Sequence, residues 1–239
     1  MMLDKIRYSA ATHRGSVRAI NEDSILSLPE LGVWIVSDGM GGHEGGDFAS
    51  QTVVEAVAML PLNLEGADLV AAVNKALDLA HKTILREAER RGGKTMGATV
   101  VALVVTEAHY VTLWSGDSRL YRLRDGQLDM ISSDHSLVAE LVRAGKLTWD
   151  AAEHQPQSNA ITRAVGVGDA LELETVSGTL RPGDRYLLCS DGLTKYANSH
   201  LLRQVMATTA IERVSDRFVE IALAGGGADN VSLIVVDIP

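Results

Sequence analysis

The spacing of the apolar stretches constrains the fold most. Val100–Val105 is apolar throughout, and only Thr106–Ala108 separates it from a second stretch, His109 to Trp114. Ser118 to Arg124 follows, then the pair Asp125-Gly126, a strong hairpin signal, leading into Gln127 to Ile131. Gly32 to Ser37, Arg185 to Ser190 and Asn230 to Ile238 read as further strands. Strands joined by turns this short must pair antiparallel, because a parallel crossover takes a dozen or more residues. Two amphipathic helices are expected at Glu44 to Leu60 and Ala67 to Arg91. The second places Val70, Val73, Leu77, Ala80, Ile84 and Ala88 at three- and four-residue intervals. Helices grouped in sequence, not alternating with strands, make an α+β pattern. Ser136 to Gly168 is less regular and reads as an excursion from the sheets, with short helices expected at Ser136 to Ala144 and Thr148 to Glu153.

No linker, repeat or low-complexity stretch divides the 239 residues, so one domain over 1–239 is expected, with the excursion at 136–168 as a flap. Lys and Arg total 22 against 31 Asp and Glu, and the net charge of -9 argues against a nucleic-acid or membrane partner. A single cysteine, Cys189, excludes an internal disulfide and reads as a small buried strand residue. No apolar run approaches the ~20 residues of a membrane span, and the N-terminal residues lack a signal-peptide core. A cytoplasmic, monomeric protein is expected.

The acidic residues share one habit. Asp38 follows Val36-Ser37 and precedes Gly39; Asp117 follows Gly116; Asp191 follows the strand Tyr186 to Ser190 and precedes Gly192. Asp229 follows three glycines and Ala228, and Glu22 lies in Asn21-Glu22-Asp23. An Asp beside Gly is often only a turn residue, and Asp125 is assigned that role. Acids gathered at strand ends can instead converge on one edge, where a divalent cation would offset their repulsion. All-oxygen ligands favour Mg²⁺ or Mn²⁺ over Zn²⁺.

Arg18-Ala19-Ile20-Asn21-Glu22-Asp23, Asp38-Gly39-Met40-Gly41-Gly42-His43, Gly116-Asp117-Ser118-Arg119, Ser190-Asp191-Gly192-Leu193 and Asp229-Asn230 occur in a recognisable order. In this the chain resembles the metal-dependent Ser/Thr protein phosphatases of the 2C type, in their compact bacterial form. Asn159 to Gly166 also resembles the segment after that family's flap. The resemblance implies a four-layer α-β-β-α sandwich of two antiparallel sheets flanked by helices. It implies hydrolysis of phosphoserine and phosphothreonine on proteins, opposing a Ser/Thr kinase, with two core Mn²⁺ or Mg²⁺ ions and a weaker third. By the same resemblance Asp38 bridges the core ions and the Gly39 carbonyl binds one. Asp191 and Asp229 hold the other, Glu22 assists directly or through water, and Asp117 shares the third site with Asp191. Arg18 matches the phosphate-binding arginine and His43 the proton donor to the leaving alcohol.

Two ions about 3.5–4 Å apart can activate a water and stabilise charge on attacking and leaving oxygens. Arg18 would present a planar fork to phosphate, which Lys reproduces poorly. Arg119 is expected to hold acidic neighbours, Asp134 to cap a helix, and Asp23 to support the ligands or a turn. Ala98 and Trp114-Ser115 depart from the family pattern without touching a ligand. A non-catalytic phosphoprotein-binding regulator on the same fold is the alternative, but such proteins usually lose the carboxylates, and here each is present.

Overall fold

The computed structural model describes residues 3–41, 45–146 and 160–239. After a 3-10 turn at Leu3–Lys5, the chain forms β1 (Arg7–His13), β2 (Asp23–Leu28), β3 (Val33–Met40), α1 (Gly45–Ala58) and α2 (Gly66–Arg90). Then come β4 (Gly97–Ala98), β5 (Val100–Val105), β6 (His109–Ser115), β7 (Arg119–Arg124), β8 (Gln127–Met130) and α3 (Leu137–Arg143). The last part holds β9 (Glu174–Thr179), β10 (Arg185–Cys189), α4 (Asp191–Thr194), α5 (Ser199–Thr208), α6 (Ile211–Ala224) and β11 (Val231–Asp237).

One sheet runs β2-β3-β5-β6-β9, with β4 paired to the end of β3; the other runs β1-β11-β10-β7-β8. Every strand pairing is antiparallel. Side chains alternate across a strand, so each sheet has two apolar faces to bury. Val33 and Ile35 pack with Val53 of α1 and Leu77 and Ile84 of α2. Their neighbours Trp34 and Val36 face the other way, into a layer shared with Leu188 and Ile234 of the second sheet. Leu233 and Val235 close the third layer against Val214 and Phe218 of α6. Each of these side chains contributes about 1.5–3 kcal/mol on burial. The expected four-layer α-β-β-α sandwich is therefore the fold.

The hairpin at Asp125-Gly126 has the expected form: Arg124 faces Gln127, and both loop residues adopt positive φ, 51° and 76°. β3 runs past Ser37 because Gly39 and Met40 pair with Ala98 and Gly97 of β4, so Asp38 lies within a strand. β1, β2, β4, β9, α4, α5 and α6 are additions to the sequence expectation. β1 and β9 are edge strands with mostly exposed, polar residues, which carry little apolar alternation. The flap helix expected at Ser136 to Ala144 is present as α3, whereas that at Thr148 to Glu153 lies outside the described residues. Asp134 does not cap α3. Ser136 does so, accepting from the Ala139 amide at 3.2 Å, while Asp134 holds both arms of Arg119 at 2.8 and 2.6 Å. Arg119 is thus structural, as expected. Among the described residues no helix is long and apolar enough to cross a membrane.

Candidate active site

Antiparallel pairing brings five acids to one end of the sandwich. Glu22 precedes β2 and Asp38 lies near the end of β3; Asp117 lies between β6 and β7, Asp191 follows β10 and Asp229 precedes β11. All five line one cavity of about 320 Å³ at the join of the two sheets, together with Arg18, Gly39 and Lys195.

The segments that carry these acids are fastened by hydrogen bonds and packing. Asp38 donates its amide to Thr99 Oγ1 at 3.0 Å and accepts from the Thr99 amide at 2.8 Å; Thr99 Oγ1 also meets Ser118 Oγ at 2.6 Å. Asp117 follows Gly116, whose amide donates to His135 Nδ1 at 3.2 Å. His135 stacks on Trp114, with ring centroids 6.0 Å apart, which gives that unusual tryptophan a packing role. Asp191 opens α4 directly after Ser190. Asn230 fastens the Arg14–Glu22 loop: its Nδ2 donates to the carbonyls of Arg14 and Ile20 at 2.9 and 3.0 Å, and its Oδ1 accepts from the Glu22 amide at 2.8 Å.

Burial and mutual repulsion dominate the electrostatics. Burial, then the charges of Asp23, Asp191 and Asp117, push the Asp38 carboxyl well above the usual carboxylate range. Asp117 is raised to about 7 by burial and by Asp191 and Asp134. Asp23 is raised to about 7, chiefly by burial. Asp229 goes the other way: burial would raise it, but Lys195, the Asn230 amide and Arg18 hold it below its ordinary value. Lys195 Nζ lies 2.8 Å from Asp191 Oδ2 and 2.8 Å from Asp229 Oδ2. Arg18 reaches Asp229 through Nε at 2.8 Å and Nη2 at 3.0 Å. Burial opposes the charge of each base, yet its carboxylate partners keep its pKa above the ordinary value.

Residues 12–224 match the family described as protein phosphatase 2C. The chain belongs to the protein phosphatase 2C family. It is 37% identical over 234 residues to the serine/threonine protein phosphatase PstP of Mycobacterium tuberculosis, covering 98% of this chain and 45% of that protein. The chain thus spans about half the length of this curated relative. Among solved structures it resembles PppA, "a key regulatory component of T6SS in Pseudomonas aeruginosa", at 40% identity and a TM-score of 0.90, covering 97% of each chain. The catalytic domain of PstP "in complex with 2 Manganese ions" matches at 36% identity and a TM-score of 0.88, covering 97% of each chain.

The phosphatase 2C site has the donor chemistry for hard divalent cations. Glu22 Oε1, Asp191 Oδ1 and Asp23 Oδ1 are buried without a hydrogen-bond partner, an expensive arrangement unless a cation meets them. Among the described residues, no three acids or imidazoles form a ready-made ligand set. Both oxygens of Asp229 already face bases. Of the expected site residues, Arg18, Glu22, Asp38, Gly39, Asp117, Asp191 and Asp229 share the cavity, and His43 lies outside the described residues. Asp23 is the buried first residue of β2, so it supports the site and shapes no turn. The sequence expectation assigned no part in the site to Lys195 or Thr99. Lys195 had one signal: it follows Asp191 by four residues, a spacing that brings side chains together on one helical turn.

Proposed function

We propose that the chain hydrolyses phosphoserine and phosphothreonine on proteins. The observation that carries this reading is the meeting of Glu22, Asp38, Asp117, Asp191 and Asp229 in one cavity with Arg18 at its edge. When bound among these carboxylates, a pair of Mn²⁺ or Mg²⁺ ions supplies an activated water and offsets phosphate charge. Asp38, the Gly39 carbonyl, Asp191, Asp229 and Glu22 would hold that pair, with Asp117 and Asp191 at a weaker third position.

The chain's own residues do the rest. Arg18, half exposed on a fastened loop, holds Asp229 through Nε and Nη2 and would offer the other edge of its planar guanidinium to phosphate oxygens. Thr99 keeps the Asp38 backbone in place, and Asn230 sets the height of the Arg18 loop. No protein nucleophile is needed, and Cys189 is unsuited to be one, being fully buried with its thiol pushed up to about 12 by burial. His43 is proposed to return a proton to the serine or threonine oxygen, a step contributing about 10²–10⁴-fold. The cellular role follows as reversal of a Ser/Thr kinase by a cytoplasmic monomer.

The test is release of inorganic phosphate from phosphothreonine and phosphoserine peptides. Turnover should require Mn²⁺ or Mg²⁺ and stop with a chelator. Hydrolysis undiminished by the chelator, or none with either ion, would count against the reading.

A further inference from the structure

Lys195 has no part in the chemistry above, yet it is the most committed base in the cavity. Its ammonium bridges Asp191 Oδ2 and Asp229 Oδ2 at 2.8 Å each, with the side chain 30% exposed. Asp229 is saturated: Oδ1 meets Arg18 Nε and the Asn230 amide, and Oδ2 meets Lys195 and Arg18 Nη2. Asp191 keeps one buried oxygen, Oδ1, without a partner. A cation can therefore meet Asp191 Oδ1 directly, but at Asp229 it must take an oxygen from a base.

We propose that Lys195 is a resident counter-ion of the Asp191–Asp229 pair, which stabilises the metal-free site and competes with the divalent cation for it. The proposal rests on the reading of these acids as metal ligands. Two effects act in the same direction. Without metal, the ammonium offsets repulsion between two carboxylates; with metal, the same positive charge sits beside a divalent ion. Removing it raises the energy of the first state and lowers that of the second. The lysine thus sets the cation concentration at which the site fills. It is a positioning residue, not a catalytic one.

The test is calorimetric titration of Mn²⁺ into wild-type, Lys195→Met and Lys195→Arg proteins, with thermal melts in chelator. Lys195→Met should bind Mn²⁺ about tenfold more tightly and melt lower than wild type in chelator; Lys195→Arg, which keeps the charge, should match wild type in affinity. Equal or weaker binding by Lys195→Met, with wild-type binding intact, overturns the proposal. Absence of Mn²⁺ binding by wild type overturns the metal reading itself, and the proposal with it. Should Lys195→Met not fold, the lysine ammonium signals of ¹⁵N-labelled wild type decide. The Lys195 resonance, identified by its loss in Lys195→Arg, should move on saturation with Mg²⁺, and an unmoved resonance overturns the proposal.

Discussion

Ser190 donates its hydroxyl to Asp23 Oδ2 at 2.9 Å, joining the end of β10 in one sheet to the first residue of β2 in the other. Asp23 stands opposite Asp38 in the β2–β3 register, so the acid that closes the join between sheets also crowds the centre of the site. Burial raises Asp23 and Asp117 to about 7, and burial together with the charges of Asp23, Asp191 and Asp117 holds Asp38 well above its ordinary value.

Cation binding should therefore release protons. A carboxyl whose pKa is raised keeps its proton below that pKa, and a divalent cation requires the ionised form. Affinity for Mn²⁺ should fall as pH drops, and binding near neutrality should release protons. Calorimetry in two buffers of different ionisation enthalpy measures it. Heats independent of buffer near pH 7 would contradict the account.

The Arg124–Asp184 pair lies away from the site and tests the fold alone. Arg124 grips both oxygens of Asp184 at 2.6 Å each, and Asp184 also accepts from the Arg181 amide at 2.9 Å. Burial would raise Asp184, but these partners hold its pKa below the ordinary value. A depressed folded pKa gives stability that is present above the unfolded value and lost as pH falls through the folded one. Arg124→Met removes the charged partner of a buried carboxylate, leaving it only the Arg181 amide and the Tyr186 hydroxyl, and should cost about 3 kcal/mol at neutral pH. The cost should shrink as pH falls and Asp184 is protonated. Urea unfolding at neutral and mildly acidic pH checks both points, and a small or pH-independent loss would count against them.

Gly46 in α1 borders Glu22 so closely that an added methyl would lie 2.7 Å from Glu22 Oε1 and 2.7 Å from the Gly39 carbonyl carbon. Gly46→Ala should displace Glu22 and the Gly39 carbonyl and weaken Mn²⁺ binding while leaving the circular dichroism spectrum near wild type. Unchanged affinity would count against both as cation ligands.

Asn230→Ala removes three hydrogen bonds that fix the Arg14–Glu22 loop. Each buried group left unpaired costs about 1–3 kcal/mol. Arg18 would lose its set position, so KM for a phosphopeptide should rise more than kcat falls. Steady-state kinetics separate the two, and a pure loss of kcat would argue that Asn230 serves the metal ligands alone.

Much of the site was legible because its signals are local. Asp38, Asp117, Asp191 and Asp229 each occupy a strand end or glycine turn, and antiparallel pairing alone brings such ends together. Lys195 and Asp229 were not legible as partners, being 34 residues apart and brought together by the packing of α4 against β11 and α6. Asp134 illustrates the same limit. Local sequence made it a helix cap, but Arg119, 15 residues away, offers a bidentate charged partner in place of a helix-end amide. The edges β1 and β9 carry too few apolar residues to register by pattern. α5 and α6 do carry it, with Leu202, Val205 and Met206 and then Ile211, Val214, Phe218 and Ala222 at helical spacing, and were open to reading.

Asp38 is where the fold, the buried charge and the proposed chemistry meet. Its replacement by Asn changes one charge and almost no volume, which makes phosphate release from a phosphothreonine peptide with saturating Mn²⁺ the most direct measurement. Asp38→Asn should melt no lower than wild type in chelator, since it removes a buried, repelled charge, and lose about a thousandfold or more in turnover, several kcal/mol of transition-state stabilisation. Turnover within about threefold of wild type would mean that this cavity does not carry the reaction.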